Sequence, residues 1–486
     1  MDNLLCDELI QEIFNHLPSS SSSSTSLVCK RWLHLYRTSK TTISLRITPN
    51  DNSLIPCLTS FLSLYPSLSS LSLISDCDKE PCFNISSNIL ICISSTCSNL
   101  RSLRFSSIPV SFSSLLFLSS SCKHLTSLTI SSSLPTSFRW LSSLPFLKEL
   151  CFTKFRNRDE TEEFEFEFDE NEEMGLEFNE NYDVGMSSLS SKSSELPLES
   201  LYLSKIESGD RGLGWLWRNC SKLKRLGLRS CEGIGDGNSF NSFINCLKSL
   251  KELELRTCRT IVDGILFQLA EHCRSLSSLL LYDGGSREGL YRFFNQSESP
   301  LQKLDLRLPL DLGNNHLLAV AENFRGLISL RLQSCCLVPG EGLKTIGSPM
   351  SIELEELALI NCDVVEREPG LLTTLGQNLK GLKKLDLSYN EMLVDKEFVS
   401  MLISCQNLVD IKLTGCKKLT HFAVVSMSKS CKFLENVDIM RTTIEAEAVE
   451  LFILSSMKLR RVQVEERKLT DVAKKWASQK FIEIVT

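Results

Sequence analysis

One phrase recurs along this chain and dictates how it can fold. Leu223–Cys231 reads LKRLGLRSC, Leu250–Cys258 LKELELRTC, Leu327–Cys335 LISLRLQSC, Leu354–Cys362 LEELALINC and Leu408–Cys416 LVDIKLTGC. The common form is L-x-x-L-x-L-x-x-C, with Asn390 in the place of the last cysteine in LKKLDLSYN. Its first leucine returns at 68, 100, 125, 147, 198, 223, 250, 276, 301, 327, 354, 382, 408, 434 and 459, most steps being 22 to 28 residues. No single copy can cover its own apolar side, so the chain must fold by stacking copies.

The rest of each copy agrees with that reading. The phrase is followed by a turn and then by helical spacing, as in Leu266, Leu269, Ala270 and Cys273, or Phe398, Met401, Leu402 and Cys405. Asp263 and Asp395 stand where a helix N-cap belongs. Each unit is therefore strand, turn, helix, with the period of a leucine-rich repeat. A helix is about 10 Å wide whereas paired strands lie about 4.8 Å apart. Stacked units must then splay on the helix side. The fold class expected is α/β: a right-handed solenoid with a parallel sheet on the concave face and helices on the convex one.

Composition excludes several functions. Of the 486 residues 42% are hydrophobic, and no apolar run reaches the roughly 20 residues of a membrane span. The start, MDNLLCDELI, lacks the basic region of a secretory signal, which predicts a cytoplasmic or nuclear protein. Eleven of the 20 cysteines fall into phase with the repeat: Cys231, Cys258, Cys335, Cys362 and Cys416 end the phrase, and Cys97, Cys122, Cys220, Cys273, Cys405 and Cys431 precede a strand. They read as small core residues. With no C-x-x-C pair and six scattered histidines, no metal is expected. H-E-x-x-H, P-loop and G-x-S-x-G patterns are missing, so no catalytic residue and no cofactor are assigned. Gly233-Ile-Gly235-Asp-Gly237 reads as a repeat loop. A pI near 5.7, with basic and acidic residues interleaved, argues against nucleic acid.

Residues 1–40 do not carry the repeat. Leu9, Ile10, Ile13, Phe14 and Leu17 make one apolar face of a short helix, which Pro18 and the serines Ser19 to Ser24 interrupt. Leu27, Val28, Trp32, Leu35 and Tyr36 make a second. Helices this small bury too little to stand alone and need a partner. LLCDELIQEIFNHLP followed by SLVCKRW resembles an F-box, and with the array behind it the chain resembles the F-box/leucine-rich-repeat proteins with cysteine-containing repeats, plant ones especially. The family has proline where Cys6 stands, and apolar residues where the serine run stands. The resemblance implies a substrate receptor of an SCF-type ubiquitin ligase, itself non-catalytic. A Skp-type adaptor, bridging to cullin and RING subunits, would be held by Leu5, Glu8, Leu9, Ile13, Leu17, Pro18, Val28, Cys29 and Trp32. The repeats would hold a protein target. Two other readings stay open: a small-molecule, hormone-like co-receptor using the concave sheet, and an adaptor-independent scaffold.

The remaining chain divides by composition. Residues 41–154 carry serine-rich, degenerate repeats, with Ile43, Leu45 and Ile47 as an irregular first strand. In 155–197 the period fails, and DETEEFEFEFDENEEMGLEFNENYD at 159–183 holds 13 acids and no Lys or Arg. Taking those acids from a chain of net −6 leaves the rest near +7. This composition predicts a disordered insertion, either a solvated loop or a tethered segment that docks on a basic surface. Regular repeats fill 198–466, and 467–486 reads as a C-terminal cap.

Strand alternation tells which residues leave the core. The outward set is Arg225, Gly227 and Arg229; Glu252, Glu254 and Arg256; Ser278, Leu280 and Tyr282; Lys303, Asp305 and Arg307; Ser329, Arg331 and Gln333. One column should run Arg229, Arg256, Tyr282, Arg307, Gln333, Ile360. Arg225, Arg229, Arg256, Tyr282, Arg307 and Arg331 are the candidate target-binding residues, for an acidic or phosphorylated segment. The competing expectation is that Glu252, Glu254 and Asp305 neutralise the arginines as a ladder.

Overall fold

A computed structural model describes residues 5–17, 22–47, 54–75, 83–132, 138–155, 195–210, 212–235, 239–308, 312–335, 337–347 and 353–486. The chain forms two compact units: Met1–Glu199 with Asp210–Lys222, and Ser200–Gly209 with Leu223–Thr486. Pro18 and the acidic stretch 159–183 lie outside the described residues.

The first unit begins with three helices: α1 (Asp7–His16), α2 (Ser22–Ser26) and α3 (Lys30–Ser39). α2 falls inside the serine run, so the serines from Ser22 on continue the helical path rather than only breaking it. Parallel strands follow in chain order: β1 (Thr42–Ile47), β2 (Ser70–Ser75), β3 (Ser102–Val110), β4 (Ser127–Ser132) and β5 (Glu149–Lys154). β1 is not irregular; all six of its residues pair in register with β2. Helices Leu54–Leu62, Phe83–Thr96 and Phe112–Ser121 connect the strands. Leu71, Leu73, Leu103, Phe105, Leu128, Ile130, Leu150 and Phe152 point into the core and are buried. At the end of β5, the Lys154 ammonium donates to both carboxylate oxygens of Asp210, at 2.7 and 2.9 Å.

The second unit carries β6 (Ser200–Ser204), β7 (Arg225–Arg229), β8 (Glu252–Arg256), β9 (Ser278–Tyr282), β10 (Lys303–Arg307), β11 (Ser329–Gln333) and β12 (Glu356–Ile360). It continues with β13 (Lys384–Asp386), β14 (Asp410–Lys412), β15 (Asn436–Asp438), β16 (Arg461–Gln463) and β17 (Glu483–Val485). Every neighbouring pair is parallel and in chain order. The phrase leucines of each strand are buried, and so are Leu266, Leu269, Cys273, Phe398, Met401, Leu402 and Cys405 opposite them. One hydrophobic layer therefore runs between sheet and helices. In the glycine loop after β7, Gly235 bridges to Ser208, as a repeat loop should.

Two devices link one repeat to the next. Lys205, Ser230, Thr257, Asp283, Leu308, Ser334, Asn361 and Tyr389 each follow a strand with φ between 49 and 63°. That left-handed turn is costly for a side-chain-bearing residue. Each of these amides donates to a backbone carbonyl of the following repeat, at 2.6 to 3.0 Å. The second device is the residue that ends the phrase. The thiols of Cys258, Cys362 and Cys416 reach back to the carbonyls of Leu228, Leu332 and Leu387 at 3.4, 3.4 and 3.1 Å. Asn390 does the same with an amide, donating to Leu359 O at 2.8 Å and Leu387 O at 2.7 Å while accepting from the Cys362 amide at 2.9 Å. The shared requirement is a small polar group that bonds to two repeats, which explains why asparagine can replace cysteine there.

One further expectation is corrected. Asp263 and Asp395 do not cap their own helices, Val262–His272 and Asp395–Ser404, whose N-cap residues are Ile261 and Val394. The Asp263 carboxylate accepts from the Ser286 amide at 2.8 Å, and Asp395 accepts from the amide and hydroxyl of Thr420 at 2.9 and 2.6 Å. Each aspartate binds the next repeat instead. In residues 467–486, helix Asp471–Gln479, capped by the Thr470 hydroxyl, leads into β17, which pairs along the outer edge of β16.

Candidate docking surfaces

The three N-terminal helices are held by a small core and one ion pair. Ile10 and Leu35 are buried. Phe14 meets the Trp32 ring edge-on at 5.4 Å and the Tyr36 ring at 6.1 Å. Arg31 donates to the Asp7 carboxylate at 2.6 and 2.9 Å and to the Leu5 carbonyl at 2.9 Å, tying α3 to the start of α1. The V-C-K-R-W sequence thereby acquires separate duties. Cys29 caps α3, its sulfur accepting from the Trp32 amide at 3.4 Å, while Trp32 packs inward. Arg31 and Phe14 were not among the candidate adaptor-binding residues, yet they hold the bundle together. Only Phe14's place in the apolar period hinted at this.

Among what the bundle leaves outside are several apolar side chains. Leu9 is 54% exposed, Ile13 43%, Leu27 84% and Val28 58%. On α1, residues 9 and 13 share one face by helical spacing, whereas Ile10 and Phe14 share the inward one. Glu8 is exposed as well; Leu5, Leu17, Cys29 and Trp32 are half-buried. The candidate residues thus fall into an outward group (Glu8, Leu9, Ile13, Val28) and a supporting group (Leu5, Leu17, Cys29, Trp32). Cys6, where the family has proline, has φ −70° at the N-cap of α1. A proline ring enforces the same value, so the backbone path is unchanged by the cysteine.

The F-box domain family model matches residues 3–40, the segment these helices occupy. An F-box opens this chain, and leucine-rich repeats follow it. The fold of the chain is also similar to a chain in the crystal structure of the Rad7 and Elc1 complex in yeast, at 14% identity over 99% of this chain and 96% of that one, with a TM-score of 0.44.

Behind the F-box, the second surface is the outward face of the sheet in the second unit. Strand register aligns Ser204, Arg229, Arg256, Tyr282, Arg307, Gln333 and Ile360 in one column, as the alternation requires. Several arginines of the face are already answered. Arg256 pairs with Glu254, two residues back on the same strand. Arg307 forks onto Asp305 at 2.7 and 2.9 Å, and that hydrogen-bonded carboxylate holds its pKa above the ordinary value. Arg331 lies among Asp305, Glu356 and Asp386, at 3.8, 3.7 and 3.7 Å. Part-exposed pairs like these contribute little stability, but they consume the positive charge that a ligand would seek. Arg225 donates to the Ser200 hydroxyl. Arg229 is exposed and has no ion pair among the described residues. Tyr282 is half-buried. Among the described residues no group of three or more His, Cys, Asp or Glu is placed to hold a metal ion, and no helix is long and apolar enough to cross a membrane.

Proposed function

We propose that this chain is the substrate-holding subunit of an SCF-type ubiquitin ligase. Its F-box would bind a Skp-type adaptor, and through it cullin and RING subunits, while the repeats hold a protein destined for degradation. The observation that carries this reading is the uncovered apolar group Leu9, Ile13, Leu27 and Val28 on a bundle whose own core is complete. Exposed apolar residues concentrated on a small bundle are what a partner surface covers. The chain would form no bond itself; it raises the effective concentration of a target lysine near a charged conjugating enzyme. Such work belongs in the cytoplasm or nucleus. The test is a pull-down with purified Skp-type adaptor. Wild type should capture it, and the Ile13→Asp, Val28→Asp double variant should not. Because both residues are exposed, the variant should still fold. Equal capture by both proteins would rule out this surface as the adaptor site.

A further inference from the structure

We propose that the start of the second unit, where Tyr202, Lys205, Arg225 and Arg229 stand together on β6 and β7, receives an acidic segment of the target protein. The inference rests on the reading that the repeats hold a target, and it places where. Tyr202 pairs with Gly227 in the register. A Cβ on Gly227 would lie 2.2 Å from ring carbon Cδ1 of Tyr202, so the absence of a side chain lets the ring lie across β7. The ring remains 39% exposed. Arg225 and Arg229 flank it, each two residues along the strand from Gly227, or about 7 Å. Lys205 follows Ser204, the partner of Arg229, and its amide donates to the Arg229 carbonyl at 2.9 Å. Lys205 and Arg229 are exposed, and neither has an ion pair among the described residues.

The facing carboxylates bear on Arg225 but leave Lys205 and Arg229 without an ion pair among the described residues. Glu254 is engaged by Arg256, and Glu252 stands beside Arg225 in the first column. Farther along the sheet Arg307 and Arg331 are matched by Asp305, Glu356 and Asp386. Lys384 and Lys412 stand beside Asp410 and Asp386 in the register, and Lys303 has only serines beside it. The β6–β7 end differs in placing two exposed cations without an ion pair among the described residues, Lys205 and Arg229, beside an exposed aromatic plate. An extended peptide bearing carboxylates or phosphates at alternate positions matches it, with its anions on the guanidinium and ammonium groups and its chain over the ring.

Fluorescence anisotropy with the full chain and short labelled peptides tests this. The peptides alternate serine with glutamate, with glutamine, or with phosphoserine. The glutamate peptide should bind and weaken as salt rises, and the glutamine peptide should not bind. In the Lys205→Glu, Arg229→Glu double variant the glutamate peptide should lose about tenfold or more in affinity. Lys412→Glu, on β14 of the same sheet, should leave it unchanged. A phosphoserine peptide that binds more tightly, with the same dependence on Lys205 and Arg229, names phosphate as the recognised group. Equal affinity of the double variant, or equal binding of the glutamine peptide, overturns the proposal. So does binding that emerges only when residues 159–183 are deleted, which would give the surface to the chain's own acidic segment. Adaptor capture by the same double variant should be intact, which separates failure of this inference from failure of the F-box reading.

Discussion

The F-box helices and the repeat array handle their apolar residues in opposite ways. In the array every phrase leucine has a neighbour on both sides and is buried, as at Leu253, Leu255, Leu279 and Leu281. In the bundle the inward residues Ile10 and Leu35 are buried, but Leu9, Ile13, Leu27 and Val28 are not. The difference follows from geometry. A stacked unit finds its cover in the next copy of itself, whereas a short bundle has no next copy and must borrow one. What remains outward on the second unit's sheet is mostly polar and largely paired within itself. The bundle therefore exposes apolar side chains, and the second unit's sheet exposes mainly charged and polar ones.

This contrast can be broken at either end. The largest effect belongs to the bundle: Ile13→Asp with Val28→Asp should lower adaptor affinity more than about a hundredfold by titration calorimetry, while shifting stability by only about 0.5 kcal/mol. A fall in stability as large as the fall in binding would mean that these side chains belong to the bundle's own core. The array should behave in the reverse manner. Asn390→Ala strands the Cys362 amide and two carbonyls, so denaturant unfolding should show a loss of about 3 kcal/mol with adaptor capture retained. Asn390→Cys, which restores the commoner residue, should lose much less.

A smaller effect concerns pH. Burial pushes the thiols of Cys97, Cys122 and Cys405 up to about 11, and those of Cys246, Cys416 and Cys431 up to about 12, from an ordinary 9.0. A raised folded-state pKa means that the unfolded chain releases its protons first. Their contribution to stability is thus whole below pH 9 and declines as pH climbs from there toward 11 to 12. Thermal scans between pH 8 and about 10.5 should show that decline, and replacing Cys246 and Cys416 with alanine should flatten it. The smallest effect returns to the front. Cys6→Pro should be tolerated, stabilising by about 0.5 kcal/mol, because φ there already suits proline. A clear loss of stability would show that the cysteine side chain has a duty of its own.

Much of this was legible in the amino-acid order, because a period of two on strands and a repeat near 26 residues decide which side chains leave the core. The column from Arg229 to Ile360 came out in register for that reason. Which arginines are already satisfied was harder to see. Glu254 and Asp305 were expected to neutralise arginines as a ladder across strands; they pair most closely with Arg256 and Arg307 of their own strands instead. The three carboxylates around Arg331 come from separate repeats and depend on side-chain reach. Asp263 and Asp395 misled because a cap position and a bridge to the next repeat look alike in one dimension. The serine run misled because propensity is only a weak prior on a segment as short as α2. The acidic stretch 159–183 lies outside the described residues, so both readings of it remain proposals.

The left-handed turns after the strands β6 to β13 carry a last implication. A turn that costs something on its own is made tolerable by a bond that arrives from the unit behind it, and that unit relies in turn on the one after. A duplication or excision at the genetic level that spans a whole period keeps every such debt matched to its creditor, while one that spans half a period orphans two. Whole periods are therefore the natural unit in which such an array can be lengthened or shortened, and with it the breadth of its sheet.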